Sequence, residues 1–402
     1  MTKKHRIAFL AGIFPRKQHS FIARNSIGVI QNAADAFQKN LIEGLAIHDD
    51  VDAVVVNLPF VSAWPSSFRK PWFPRVRDSE SGVPVDGRGF ANASLVRYPA
   101  RIMASLVGLY GKQARSADTI LVYSAHVPFM LAAVLAGRLF SRRQLAIVVL
   151  DLPEYMGAMG LAQKLFGGFN RKLFYYLVRY FDKFIVLTEA MISRLGVDPE
   201  KAVVVEGIAT LSQVGTSNVA QKNRGNTFLY TGTLARRYGI EELVDGFRQV
   251  RCPDAALWIC GAGEGADYVV AAAKADPRIV FFGQVDRSRA LELQGEADFL
   301  INPRCGDDEF VRYSFPSKIM EYMASGRPVI MYGLPGIPED YEGHYLPISA
   351  AGAAGIGAAI SSAIDVPADE RNAMGAAARD FVRLRKGPRE QVRRILDSLY
   401  PA

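Results

Sequence analysis

Sulfur, histidine and unbroken apolar length are all scarce in this chain. Its three cysteines, Cys252, Cys260 and Cys305, are too few and too scattered for a disulfide framework or a metal cluster, so no metal is expected. No run of eighteen apolar residues occurs, which excludes an ordinary membrane-spanning helix. The first strand-like segment, Arg6 to Leu10, is too short and too early for a signal peptide, and a cytosolic protein is expected. Zinc-ligand spacing and a basic tail are lacking too, so nucleic acid is not an expected partner.

What is present describes a folded chain with ample core. At 402 residues, 50% hydrophobic and 22% charged, it exceeds the size at which a single core keeps growing, and two domains are expected. The net charge of +8 is uneven: residues 1–210 hold 26 Lys and Arg against 16 Asp and Glu, and residues 211–402 hold 22 against 24. A basic first half suggests an anionic partner, and peripheral association with anionic membrane at the inner face is the expectation.

Apolar strand-like runs alternate with helix-length segments from end to end. In the first half they fall at 6–12, 51–58, 119–124, 145–151 and 183–188; in the second, at 227–231, 255–260, 278–282, 297–302 and 328–332. This is the α/β signature of parallel sheets, and the repeat predicts two Rossmann-like domains whose strand ends face a shared cleft. The boundaries are 1–210 for an N-terminal domain and 211–384 for a C-terminal domain. A final helix over 385–402 can return to the first domain. Polar, aperiodic residues 207–218 read as the linker. Residues 59–99, rich in Pro, Trp and Arg, form an insertion with no clear period, a binding loop or lid if ordered. Trp64, Trp72 and Phe73 argue for order. The aromatic and basic segment 164–183 fits either an interfacial membrane helix or, with fewer assumptions, a helix packed on the sheet.

Several turns carry polar groups where such folds bind ligands. SFPSKIMEYMASGRPVI, residues 314–330, reads as loop, helix and strand, with Ser314 or Ser317 able to cap, and Gly326 ending the helix. Lys318 has the wrong sign for a helix start; an anion bound there would explain it, and Glu321 could accept sugar hydroxyls. A lone Lys–Glu pair is nonetheless more often solvated surface. The glycine-rich turn Gly261-Ala262-Gly263-Glu264-Gly265 fits G-x-G-x-x-G/A, but the next strand ends in Gly283-Gln284, not the acid an NAD enzyme wants on the ribose. The turn Gly232-Thr233 leads to adjacent Arg236 and Arg237, of which at most one can face a site. His126, and Asp151 with Glu154, follow strands of the first half at their carboxyl ends.

The ordered series 232–239, GAGEG (261–265), FFGQV (281–285), EADFLINPR (296–304) and FPSKIMEYMASGRPVI (315–330) resembles the C-terminal domain of the retaining glycosyltransferases of family 4, which have the GT-B fold. IVLTEAMISRL (185–195) and VVVEGI (203–208) resemble the end of that family's first domain. VYSAHVPFM, VVLDLPEYM and the insertion are similar to its bacterial capsule and exopolysaccharide branch. The resemblance implies sugar transfer from a nucleotide diphosphate donor to a glycan or lipid-linked acceptor, in cell-surface polysaccharide synthesis, with no cofactor. It puts Glu321 on the donor ribose, the backbone of Ser314 and Phe315 at the donor sugar, His126 facing that sugar, and Gly28 in a loop under the diphosphate. The family's first glutamate falls on Tyr313, with Asp307, Asp308 and Glu309 upstream. Its usual arginine and lysine fall on Thr233 and Tyr238. Lys318 and one of Arg236 and Arg237 are then the expected replacement cations, with Gly232, Thr233, Gly261 and Gly263 lining the donor. A nucleotide-sugar epimerase on the same fold and a non-catalytic nucleotide-sugar-binding subunit are the alternatives.

Overall fold

The structure, a computed structural model, describes residues 4–28, 31–94, 96–139, 142–155, 161–209, 225–306 and 308–401. Most of the expected linker, 210–218, and Asp307 lie outside the described residues. The chain divides into two compact units, Met1–Ile208 with Pro388–Ala402, and Ala209–Gly387.

In the first unit the strands are β1 (His5–Ala11), β2 (Val51–Asn57), β3 (Trp72–Phe73), β4 (Val76–Glu80), β5 (Val83–Gly87), β6 (Phe90–Ala91), β7 (Thr119–Tyr123), β8 (Gln144–Val149), β9 (Lys183–Val186) and β10 (Ala202–Val204). Eight of them form one sheet in the order β10-β9-β8-β7-β1-β2-β5-β4. Every pairing is parallel except that of β4 with β5. The insertion is therefore structured: β5 adds beside β2, β4 turns back on it, and β3 pairs with β6 in a separate ribbon. Strands of two and five residues are too short to show a period in sequence. Phe73 is fully buried, while Trp64 and Trp72 stay exposed.

Helix Asn32–Ile47 covers one face with Leu41, Ile42 and Leu45, and the last helix, Pro388–Leu399, packs beside it through Val392, Ile395 and Leu396. Gly44 permits that approach, since a Cβ there would overlap the Val392 side chain and come within 2.5 Å of the Pro388 carbonyl oxygen. Helix Leu161–Val178 buries Phe174, Leu177 and Val178, so it is a packed helix; its outer stripe leaves Phe169 63% and Tyr176 53% exposed.

The second unit contains β11 (Asn226–Thr231), β12 (Ala255–Cys260), β13 (Ile279–Phe281), β14 (Phe299–Asn302), β15 (Val329–Met331) and β16 (Leu346–Pro347). They lie in the order β13-β12-β11-β14-β15-β16, all parallel. Alternate residues of each strand feed two cores. Phe228, Leu257, Ile259, Phe299 and Ile330 meet the helices Ile240–Arg248 and Gly352–Ile364. Leu229, Trp258, Leu300 and Val329 meet Lys318–Ala324 and Ala368–Arg385. Burial on both faces is why these strands read as continuous apolar runs. In its own numbering the sheet runs 3-2-1-4-5-6, and the reversal between β11 and β14 is where folds of this order bind ligands, at the carboxyl ends of the strands.

Candidate functional site

The two glycine turns of the second unit are one structure. Gly232 N–H donates to the Cys260 carbonyl at 3.0 Å, Leu234 N–H to Ala262 at 3.0 Å, and Gly265 N–H to Leu234 at 2.8 Å. Gly261 and Gly263 have φ of +151° and +157°, and a Cβ on either would overlap the backbone of Gly232 or Leu234. These glycines are required, first of all, by the neighbouring turn. The pair of turns forms a rigid floor beside β11 and β12.

Helix Lys318–Ala324 is tied to that floor from below. The Tyr322 hydroxyl accepts from Thr231 N–H at 2.8 Å and donates to the Thr231 carbonyl at 3.0 Å, in a fully buried position. One residue earlier, Glu321 accepts from Lys318 Nζ at 2.6 Å and from the amide of buried Gln294 at 2.8 Å, with Arg287 at 3.8 Å. Burial alone would push the Glu321 carboxyl up; Lys318, Gln294 and Arg287 together outweigh it and hold the group below its ordinary range. A depressed carboxyl contributes stability above its ordinary value of 4.5, and that contribution is lost as the pH falls through the folded value.

Lys318, placed at the helix start against the dipole, is thus balanced within the chain by Glu321. Neither expected cap forms: Ser317 makes no capping bond, and the Ser314 hydroxyl accepts from Arg304 Nη2 at 2.8 Å instead. Gly326, at φ +76°, lies two residues beyond the helix end. Phe315 is buried against Tyr341, which leaves its backbone as the part able to meet a ligand.

Of the adjacent arginines, Arg236 is 70% exposed and paired with Glu241 at 2.9 Å. Arg237 lies over the rings of Tyr238 and Phe310, at 5.0 and 5.5 Å. Arg304 stacks on the same two rings, at 5.2 and 4.6 Å. Among the described residues no carboxylate forms an ion pair with Arg304, its buried Nε has no partner, and burial followed by the charge of Arg237 lowers its pKa, against the opposing pull of Tyr238 and Asp308. Two guanidinium groups over two shared rings, beside β14's carboxyl end, make a cationic shelf suited to phosphate oxygens. Sequence reasoning passed over Arg304, Phe310 and Gln294. The signal available for Arg304 was its place two residues past a buried strand; Gln294 gave none, being one polar residue in a polar helix.

In the first unit, His126 precedes the helix Val127–Val134, with its ring edge-on to Phe129 at 4.5 Å and Phe60 at 5.4 Å. Burial, then Arg101 and Arg97, hold its pKa well below 6.5, so the imidazole is neutral at pH 7. Asp151 has its carboxyl pushed up by burial, and Glu154 pairs with Arg194 and Tyr175. Gly28 has φ +88°, and among the described residues nothing lies within 4 Å of the position of a Cβ. The structure thus gathers Gly232, Gly261, Gly263, Ser314, Lys318 and Glu321 around β11 and β14, puts Arg237 on a shelf with Arg304, and turns Arg236 to Glu241. Among the described residues, no group of three or more His, Cys, Asp or Glu side chains is gathered as for a metal ion.

The sequence matches none of the curated proteins. Solved structures are similar over nearly the whole chain: the Anabaena protein Alr3699/HepE in complex with UDP (TM-score 0.64, 15% identity, 98% of this chain and 99% of that one). Sucrose-phosphate synthase from Thermosynechococcus elongatus gives a TM-score of 0.65 at 15% identity, covering 98% of each chain. The lipopolysaccharide outer core galactosyltransferase WaaB in its apo form gives 0.62 at 14% identity, over 98% and 99%. The fold is GT-B, with two Rossmann-like units, and residues 225–365 match the family model described as "Glycosyl transferases group 1".

Proposed function

We propose that the protein is a glycosyltransferase that moves a hexose from a nucleotide diphosphate sugar, with retention, to a glycan or lipid-linked acceptor of a bacterial surface polysaccharide, as a family 4 enzyme. The observation that carries this reading is the array at β11 and β14: an ionised Glu321 aligned by Gln294 and Lys318, two interlocked glycine turns, and the Arg237–Arg304 shelf. The match of residues 225–365 and the UDP complex of a protein of like fold support it. Glu321 would accept the ribose hydroxyls. Cations near the diphosphate would offset the charge that builds on the leaving group, which lowers the barrier to transfer. No cofactor enters this scheme.

A screen of nucleotide sugars tests the proposal. One donor is expected to raise the melting temperature selectively and to be consumed with transfer when acceptor glycans are supplied. Stabilisation by none of them would overturn the reading, and binding without any turnover would leave only a nucleotide-sugar-binding subunit.

The same reading puts the acceptor at the membrane's inner face. It is supported by the basic first half of the sequence and by the exposed Phe169 and Tyr176, which share a helix with Arg171 and Lys172. Among the described residues no helix is long and apolar enough to cross a membrane. Co-sedimentation with anionic vesicles is expected at low salt and is expected to weaken as salt rises, because the Debye length is about 8 Å at physiological ionic strength. Phe169→Ser should reduce it further. Binding indifferent to both salt and that substitution would count against the membrane face.

A further inference from the structure

The first unit holds one fully buried and one half-buried positive charge, Arg101 and Arg97, with no carboxylate partner among the described residues. Arg97 and Arg101 lie one turn apart on the helix Arg97–Leu109, a spacing at which like charges repel. Arg101 is fully buried. It donates from Nη1 to the Leu58 carbonyl at 3.2 Å and from Nη2 to that of Pro59, and its guanidinium lies 4.4 Å from the Phe90 ring centre. Arg97 donates from Nη2 to the Val61 carbonyl at 3.3 Å. Among the described residues, the Nε atoms of both arginines and Nδ1 of His126 are buried without a hydrogen-bond partner. Backbone carbonyls satisfy some of the donors, and the ring faces of Phe60, Phe90 and Phe129 lie 5.9, 4.4 and 5.9 Å from the Arg101 guanidinium, but neither brings a full negative charge. Neither arginine is paired with a carboxylate among the described residues, and the one group whose charge opposes the loss of their protons is the Tyr98 phenol. The start of helix Val127–Val134 adds its positive end at His126.

Burying charge without compensation is costly, so an arrangement of this kind is stable when an anion completes it. The occupant must reach the half-buried rim where Arg97 and His126 meet solvent beside exposed Tyr98. Two guanidinium charges match the two charges of a phosphate better than the single charge of a carboxylate, and the fork of N–H donors matches its oxygens. We propose that Arg97, Arg101 and the His126 imidazole form a phosphate-binding site in the first unit. If the protein is the glycosyltransferase argued above, the phosphate is one carried by its acceptor.

The test uses the full chain and reads His126 directly. The imidazole resonances of His126, identified by their loss in His126→Asn, are followed while inorganic phosphate, glucose 1-phosphate or glucuronate is titrated at constant ionic strength set with chloride. A saturable shift with phosphate is expected, with a rise in the His126 pKa as the added negative charge offsets the arginines. Arg97→Gln should weaken the apparent affinity at least about tenfold, the scale of one charge-assisted hydrogen bond, and Arg97→Lys should restore part of it. A tighter response to the sugar ester assigns the site to an acceptor group; a tighter response to inorganic phosphate assigns it to the free ion. No saturable shift, an equal response in Arg97→Gln with its circular dichroism unchanged, or a preference for glucuronate would overturn the proposal. Because donor binding is read separately by melting with nucleotide sugars, failure here is distinguishable from failure of the glycosyltransferase reading.

Discussion

Replacing Glu321 with alanine is expected to weaken donor binding by about 10- to 100-fold, corresponding to the roughly 1.5–3 kcal/mol carried by a hydrogen bond to a charged group. The carboxylate is already ionised and aimed: Lys318 and Gln294 hold one oxygen, leaving the other facing Arg287 at 3.8 Å. Titration calorimetry with the donor identified by the nucleotide-sugar screen checks this. The fold should persist, because the helix keeps its buried Ile319, Tyr322 and Met323, while the variant gives up the stability that the ionised carboxylate draws from Lys318 and buried Gln294. Lys318→Ala is a companion with a distinct signature. If Lys318 acts mainly on the leaving diphosphate, turnover falls more than the donor KM rises. If it acts mainly by holding Glu321, donor affinity falls in parallel with the Glu321 variant. Unchanged affinity in Glu321→Ala would remove that residue from the site.

Gly261→Val is expected to be a severely damaging change in the second unit. The new Cβ would overlap the Gly232 carbonyl, and φ of +151° is closed to a β-branched residue. The floor cannot yield locally, since Gly232, Leu234 and Gly265 are cross-bonded to the facing turn. A loss of more than about 3 kcal/mol is expected, the range of backbone strain combined with steric overlap. Gly28→Ala is the control: its φ is also positive, but among the described residues nothing lies within 4 Å of the position of a Cβ, so the cost should stay near 1 kcal/mol. Urea unfolding of the three proteins measures both. Comparable losses at the two positions would mean that φ alone, and not the packing of the two turns, dictates Gly261.

Legibility in the sequence followed the range of the interaction involved. The strands from Asn226 to Met331 were readable because most of their residues are buried on both faces, so the runs are largely apolar irrespective of their neighbours. The helix carrying Glu321 was readable from its apolar residues and from Gly326. Its capping was not: Ser314 and Ser317 both had suitable side chains, and the outcome depended on Arg304 arriving from β14 to take the Ser314 hydroxyl.

Local pattern, then, determined the α/β character, the positions of the long strands and the candidate carboxylate. Tertiary structure decided which charges are balanced and which are free. Lys318 is answered by Glu321 and Arg236 by Glu241, while Arg304 and Arg237 share two rings. It also made strands β4 and β5 from an aperiodic insertion and placed the last helix against Asn32–Ile47. The physical reason is the same throughout: periodicity records whether a residue is buried, but a charge or a short strand is fixed by the particular partner that folding brings to it across tens or hundreds of residues.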